Sequence, residues 1–382
     1  MDQMSNVDPD NLELMHAVED GDKMEVSDIL MTQPLCDHMD RYADAICLAA
    51  KEGHLDIVRM LLDAGCMPSV RDSTDVMWHR KPVHHASAKG HLPVVELLIE
   101  RGVDINCVDD ERRTPLHWAA TEGRLPVAEY LIQHGAAINV VQNDGFTALH
   151  AATCLGQWLM CKYLLSEGAE INRADRDGWT PLHAAACYGH VSVLELYLSS
   201  GAVVNKRTTL EETPLHIAVS PGNVSIMEKL LCSKADLEAR DMKGNTPLFD
   251  AVWRNRYEAC RYLIDMGSDV NATNYAGQSA ICIAALRMWS DFVRLLIDAG
   301  CHVNSNTWLR NFPVPVKADS SDGEHQWLCE LTYLAANPRE LKELCKISIR
   351  QQLGPEKNTK THRLPLPPQL RHYLRVGDSA EH

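Results

Sequence analysis

The stretch TPLHWAATEGRLPVAEYLIQHG, residues 114–135, decides the fold because its opening tetrapeptide returns along the chain at a fixed interval. Copies of that tetrapeptide start at 33-residue steps from Thr114, Thr147, Thr180, Thr213, Thr246 and Ser279, and the last two are the weakest matches. A constant period of this length is the signature of tandem structural repeats, each of which buries its apolar face against the next. The sequence therefore predicts one quasi-linear core built from repeats.

Each part of the unit has a physical reason. Thr can cap a helix start, and Pro fits the first helical position, where its missing N–H costs nothing. In the second half of a repeat, Val94, Leu97 and Leu98 share one helix face at spacings of three and four. A glycine such as Gly102 then ends that helix in a left-handed conformation. The unit predicted is two antiparallel helices joined to the next pair by a hairpin turn, as at Asp144-Gly145.

Earlier copies of the repeat are weaker. Lys81-Pro82-Val83-His84 begins one of them, and the copy before it carries a four-residue insertion near Asp75–Arg80. Residues 11–40 keep only traces of the pattern, so we predict a degenerate first repeat there. Atypical ends are expected, because a terminal repeat must present a polar outer face to water.

The 33-residue period with its T-P-L-H signature resembles the ankyrin repeat, over roughly residues 11–304. The resemblance implies an all-α fold, an ankyrin-repeat solenoid of about nine helix-turn-helix units with β-hairpin loops between them.

Bulk composition excludes several classes of protein. The 382 residues carry a net charge of −15, which disfavours nucleic-acid backbones and anionic membrane surfaces as partners. Thirteen cysteines without a C-x-x-C pair indicate buried thiols in a reducing compartment. The polar start of the chain is unlike a targeting leader, and no apolar run is long enough to span a membrane. We therefore expect a cytoplasmic protein, with the nucleus as a second compartment.

After Asn304 the repeat rhythm stops and the charge inverts. Residues 305–336 read as a linker with a short helix. From Arg339 to Val376 nine basic residues face three acidic ones, a local +6. Asn337 and Pro338 are good first residues for a helix, which Gly354-Pro355 would end. Its apolar residues spread over more than one face, which favours a partner beyond the repeats.

This C-terminal stretch resembles the SOCS box. Leu341, Cys345 and Ile349 match the helix pattern L-x-x-x-C-x-x-x-aliphatic, and Leu344 lies among them. The second pattern, L-P-aliphatic-P, is matched by Leu364, Pro365, Leu366 and Pro367. The resemblance implies that the helix docks on Elongin C, within Elongin B/C, and that the second element selects cullin-5 with its RING subunit. Together with the repeats, it indicates a member of the ankyrin repeat and SOCS box family.

Four segments are expected: residues 1–40 with the degenerate repeat, 41–304 with the ankyrin repeats, 305–336 as linker, and 337–378 as SOCS box. The resemblance implies a substrate-recognition adaptor of a cullin–RING ubiquitin ligase, which holds a protein target for ubiquitination and proteasomal degradation. One alternative is a non-degradative ankyrin scaffold or inhibitor. Another is an enzyme with a dispersed active site, which no residue pattern favours. We expect no catalytic residue, no metal and no cofactor.

Recurrent histidines at positions 117, 150, 183 and 216 look like candidate ligands or bases. Because they recur at the repeat period, they are predicted to bridge adjacent repeats by hydrogen bonds and not to converge on one site. Cys345 has basic neighbours, but its place in the motif favours docking over nucleophilic catalysis.

In ankyrin stacks the residues around the end of the first helix, and the hairpin tips, face the concave groove. Large side chains at these positions are candidates for target binding, because aromatic groups are enriched at binding hot spots. They are Trp118, Phe146, Leu155, Trp179, Tyr188, Trp253 and Tyr275. Packing within the stack, or shielding by the N-terminal segment, remains the alternative for each.

Overall fold

The computed structural model describes residues 9–32, 39–72, 75, 79–287 and 289–301. These residues form eighteen helices in nine consecutive pairs, the number of repeats predicted. Contacts divide the chain into two compact units, one up to Met242 and one from Lys243.

The first unit holds seven helix pairs: α1 (Pro9–Asp20) with α2 (Lys23–Thr32), α3 (Met39–Glu52) with α4 (Leu55–Asp63), α5 (Pro82–Lys89) with α6 (Leu92–Glu100), α7 (Pro115–Thr121) with α8 (Leu125–Gln133), α9 (Ala148–Cys154) with α10 (Trp158–Ser166), α11 (Pro181–Tyr188) with α12 (Val191–Ser199), and α13 (Pro214–Val219) with α14 (Val224–Cys232). The second unit holds α15 (Pro247–Trp253) with α16 (Tyr257–Asp265), and α17 (Ala280–Leu286) with α18 (Ser290–Asp298).

Within the first unit, the first helix of each pair packs on the first helix of the next, from α1 through α13. Leu116, Ala119 and Ala120 of α7 are completely or almost completely buried in this contact. The two alanines let neighbouring helices approach closely, and Leu116 fills the space between them. In the second unit α15 packs on α17 in the same way.

The repeated tetrapeptide builds the start of each first helix from α7 to α17. The Thr114 hydroxyl accepts a hydrogen bond from the His117 backbone N–H at 3.4 Å, and His117 Nδ1 accepts one from the Thr114 N–H at 3.2 Å. Thr147 and His150 repeat this exchange at 3.5 and 3.2 Å. Each pair satisfies backbone donors that a helix start leaves without partners.

The same histidine rings join consecutive repeats. Because Nδ1 accepts a hydrogen bond, the proton lies on Nε2, which donates to a backbone carbonyl of the next repeat. The distances from Nε2 to the carbonyl oxygen are 3.1 Å for His84 to Cys107, 3.4 Å for His117 to Phe146 and 3.2 Å for His150 to Trp179. These bonds confirm the predicted bridging role for His117 and His150, and His84 makes the same kind of bond. The buried Nε2 of His183 has no hydrogen-bond partner among the described residues.

Five-residue turns, which we call fingers, precede the first helices at residues 109–113, 142–146, 175–179, 208–212 and 274–278. Each is closed by a backbone hydrogen bond, such as Gln142 N to Phe146 O at 2.9 Å. The described residues contain no β-strand, only one isolated antiparallel bridge between Thr273 and Ser279. The hairpin loops expected from the sequence are thus tight turns, because too few residues flank each turn to form a ladder.

Neighbouring fingers of the first unit contact each other through their backbones. Arg176 N donates to Asp144 O at 2.9 Å, and Thr209 N donates to Asp177 O at 2.8 Å. Gly178 has a φ of +81°, and a Cβ there would lie 2.8 Å from Thr209 N. The glycine is therefore needed for its backbone angle and for the close approach of the next finger.

Replacing this glycine should test how tightly the fingers pack. We expect Gly178→Ala to lower the free energy of unfolding by about 3 kcal/mol, because the methyl group meets backbone that cannot move away alone. Gly168→Ala is the matched control, with a φ of +93° and no atom within 4 Å of its Cβ. It should cost only about 1 kcal/mol of backbone strain. Urea unfolding of both variants measures the difference, and equal losses would contradict the tight contact.

Candidate functional site

A cluster of exposed apolar side chains in the first unit lies where α9, α10 and α11 end or begin. We call Leu155, Trp158, Leu159 and Tyr188 the apolar patch. All four are among the exposed large hydrophobic residues, and Tyr188 keeps 58% of its surface accessible. Tyr188 stands 33 residues after Leu155, so both occupy the same place in consecutive repeats. Exposed apolar clusters of this kind commonly mark partner sites.

The apolar patch is held in place by the residue that starts α12. His190 Nε2 donates to the Cys154 carbonyl of the preceding repeat at 3.1 Å, and its ring stacks on Tyr188 with centroids 6.2 Å apart. The nearby Cys154 thiol and burial together raise the pKa of the Tyr188 hydroxyl. Gly156 makes room for this arrangement, since a Cβ there would come within 2.6 Å of His190 Nδ1. Tyr188 is thus an anchored aromatic side chain with an open outer face.

Two of the predicted groove residues lie at the finger bases. Phe146 stacks on His150 with ring centroids 5.2 Å apart, and Trp179 tilts against His183 at 6.1 Å. Both side chains are half-buried. They therefore support the bridging histidines and still present part of their surface to solvent.

Trp118 differs from the other predicted groove residues because only 7% of its surface is accessible. Its ring lies between the guanidinium groups of Arg80 and Arg113, 4.7 and 4.3 Å from the ring centroid. Its Nε1 donates to Asp109 Oδ2 at 3.1 Å. Trp118 therefore packs within the stack, which was the alternative to target binding. Little of its indole surface is left for a partner.

The remaining two predicted groove residues belong to the second unit. Tyr275 is 72% exposed and lies against Gly244, in the loop before α15. Trp253 is also exposed on one side, with Arg287 stacked 4.9 Å from its ring centroid. Guanidinium–indole stacking holds the ring without removing it from solvent.

Trp158 and Leu159 were not predicted as binding residues from the sequence, although their size at these positions is unusual among the repeats. They open a second helix, where neighbouring repeats place smaller pairs such as Leu125-Pro126 and Val191-Ser192. Lys162 adds a charge beside them, with Nζ 5.2 Å from the Trp158 ring centroid.

The cysteines of the described chain are mostly buried. Burial raises the pKa of the Cys66 and Cys107 thiols to about 11 and that of Cys260 to about 12. These side chains are therefore neutral thiols at physiological pH, and they serve as small apolar groups in the packing.

The residues predicted to bind Elongin C and the cullin lie outside the described residues. They are Leu341, Leu344, Cys345 and Ile349 for Elongin C, and Leu364, Pro365, Leu366 and Pro367 for the cullin. Among the helices of the described residues, none has the length and apolarity needed to cross a membrane.

Comparison with known proteins assigns both parts of the chain. Five overlapping segments match the family described as ankyrin repeats: residues 14–109, 46–142, 83–175, 137–208 and 193–274. Residues 337–375 match the SOCS box. Both are protein-binding modules.

One curated relative is the ankyrin repeat-containing protein P1E11.10 of Schizosaccharomyces pombe. It is 36% identical over 69 residues, which are 18% of this chain and 31% of that protein. The match therefore spans less than a third of the relative and reflects the repeat itself. With ankyrin repeats over residues 14–274 and a SOCS box at residues 337–375, the chain belongs to the ankyrin repeat and SOCS box family.

Proposed function

We propose that this protein is the substrate-recognition subunit of an Elongin B/C–cullin-5–RING ubiquitin ligase. The match of residues 337–375 to the SOCS box is the observation that carries the proposal. Leu341, Leu344, Cys345 and Ile349 would dock on Elongin C. Leu364, Pro365, Leu366 and Pro367 would select cullin-5. The chain itself would be non-catalytic, cytoplasmic or nuclear, and would supply proximity, because holding two reactants together greatly raises their effective concentration.

The protein target would bind through the repeats. The apolar patch supports this role, because anchored aromatic side chains pay little entropy on binding. Phe146, Trp179, Trp253 and Tyr275 are further candidates, since each keeps accessible aromatic surface. Trp118 would contribute indirectly, by fixing the finger of residues 109–113 through its bond to Asp109.

Charge substitutions test this surface. We expect the double variant Leu155→Asp, Tyr188→Asp to lower target binding more than tenfold, because a bound partner would bury both carboxylates without compensation. Val203→Asp is the control, an exposed apolar residue of the same unit outside the patch. Quantitative proximity labelling in cells gives the readout. Unchanged labelling by the double variant would remove the patch from the proposed site.

The function itself is tested by comparing the intact chain with one lacking residues 337–382. Proteins labelled by both chains bind to the repeats. Those of them that are targets of the ligase should accumulate when cullin neddylation is inhibited. We expect this accumulation with the intact chain and no effect of the inhibitor with the shortened one. Labelled proteins whose levels never respond would favour the non-degradative scaffold.

A further inference from the structure

Three equivalent positions can be compared between successive junctions of stacked repeats. They are the motif histidine of the first repeat, the first residue of the finger that follows, and the residue after the motif histidine in the second repeat. Between α5 and α7 these positions hold His84, Asp109 and Trp118, and Trp118 donates its hydrogen bond to Asp109. The repeat register places equivalent residues at equivalent points of neighbouring junctions.

Between α3 and α5 the same three positions hold Cys47, Asp72 and His85. Cys47 precedes Ala49-Ala50 as His117 precedes Ala119-Ala120, and His85 stands 33 residues before Trp118. In the next three repeats the position of His85 is filled by Trp118, Ala151 and Ala184, none of which can bind a metal. This junction therefore combines a thiol, a carboxylate and an imidazole.

The three side chains are buried and their donor atoms converge. Cys47 Sγ, a carboxylate oxygen of Asp72 and a ring nitrogen of His85 lie within 4.8 Å of one another. Asp75 N donates to Asp72 Oδ1 at 3.3 Å, which orients the carboxylate from behind. Metal ligands in proteins are commonly fixed by such outer hydrogen bonds.

His85 Nε2 is the most informative atom of the cluster. It lies 2.9 Å from Asp72 Oδ2, yet it has no hydrogen-bond partner among the described residues, and the side chain is only 3% exposed. The two atoms are thus neighbours without the alignment of donor and acceptor. Two atoms that bind the same metal ion are also close to each other without being aligned for a hydrogen bond, because their lone pairs both point at the metal.

We propose that Cys47, Asp72 and His85 form a zinc site that joins the second and third repeats. Thiolate and imidazole are ligands of zinc and disfavour magnesium and calcium, which take oxygen donors. Binding would release the thiol proton of Cys47 to solvent, and the charges of thiolate and carboxylate would then balance Zn²⁺. Donor atoms in a tetrahedral zinc site are about 3.5 Å apart, so separations of up to 4.8 Å must shorten by at most roughly 1.3 Å. A water molecule would complete the coordination.

The alternative is a buried pair of His85 and Asp72 alone, in which Cys47 takes no part. Cobalt(II) distinguishes the two, because it occupies zinc sites and gives an absorption band when a thiolate binds it. The full-length chain, stripped of metal under reducing conditions, is titrated with CoCl2. We expect the band to saturate at one equivalent and to disappear when ZnCl2 is added.

Variants assign the band to this junction. Cys47→Ser should abolish it, and Cys66→Ser, which removes another buried thiol of the same unit, should keep it. If Cys47→Ser fails to fold by circular dichroism, His85→Trp replaces it, since tryptophan occupies this position in the next repeat. Loss of the band in that variant supports the site. The proposal is overturned by a wild-type chain without the band, by a band that survives in a folded Cys47→Ser or His85→Trp, or by its loss in a folded Cys66→Ser.

Discussion

The double variant Leu341→Pro, Cys345→Phe will fail to retain Elongin C, with at least a hundredfold loss of binding. Proline breaks the helix that would carry the docking residues, at a cost of about 3 kcal/mol. Phenylalanine at position 345 would be too large for the small pocket that Cys345 is proposed to fill, and overpacking costs about 1–3 kcal/mol more. Together these costs of about 4–6 kcal/mol correspond to roughly three to four decades in the dissociation constant. Pull-down from cell lysate followed by quantitative mass spectrometry measures the loss.

A second variant separates the two elements of the SOCS box. We expect Leu364→Ala, Pro365→Ala to keep Elongin B/C at wild-type levels while losing cullin-5. Neither variant changes a residue of the repeats, so circular dichroism should show that both keep the helical signal of the repeats. Retention of Elongin C by the double variant at positions 341 and 345 would mean that the helix docks differently from the family pattern.

Acidification will unfold the first unit, because its motif histidines are buried in the neutral form. Burial lowers the pKa of His84 to about 3 and those of His117, His150 and His183 to about 4. In the unfolded chain each would titrate near 6.5. Above pH 6.5 neither state binds the protons, so the four groups have no effect there. As pH falls from 6.5 towards 4, only the unfolded state takes them up, and stability is lost.

The expected effect is large. Each histidine contributes up to about 1.4 kcal/mol per pH unit within that window, against a typical domain stability of 5–15 kcal/mol. Asp109 works in the opposite direction, since burial raises its pKa and the folded state binds that proton more readily. The histidines are more numerous, so we expect the urea midpoint to fall steeply between pH 6.5 and 5.

One substitution checks the assignment to the bridging rings. His150→Gln should reduce the pH dependence by about one proton in that interval, although the variant is itself less stable at neutral pH. The slope of unfolding free energy against pH, measured by urea unfolding at several pH values, is the relevant quantity. A slope near zero for the wild-type chain would show that the rings are not held neutral as the structure indicates.

The repeat architecture could be predicted from the sequence because the tetrapeptide performs the same local task in every copy. Thr114 and His117 cap one helix start through bonds to residues only three apart, and such local chemistry is readable without a structure. A second set of recurring hydrogen bonds, made by asparagine side chains, has an equally regular sequence pattern and was not predicted. Asn139 and Asn172 recur at the repeat period, and each donates to a backbone carbonyl 29 residues further on.

The exposure of individual groove residues could not be predicted, because it depends on neighbours from other repeats. Trp118 and Tyr188 are both aromatic residues near a first-helix end, yet Trp118 is enclosed by Arg80 and Arg113 while Tyr188 is open. Arg80 lies in the stretch with the four-residue insertion, whose course the period does not define. The junction of Cys47, Asp72 and His85 was missed for a related reason, since its residues depart from the repeat consensus and come together only through the register.

The most direct test of the adaptor role is the composition of the complex that the purified chain forms. The full-length protein is co-expressed with Elongin B and Elongin C and isolated through a tag on the chain. Native mass spectrometry then measures the mass of the complex before and after cullin-5 with its RING subunit is added. We predict an equimolar complex of the chain with Elongin B and Elongin C that then binds cullin-5 as a unit. A chain that elutes alone, with both Elongins left unbound, would contradict the adaptor role.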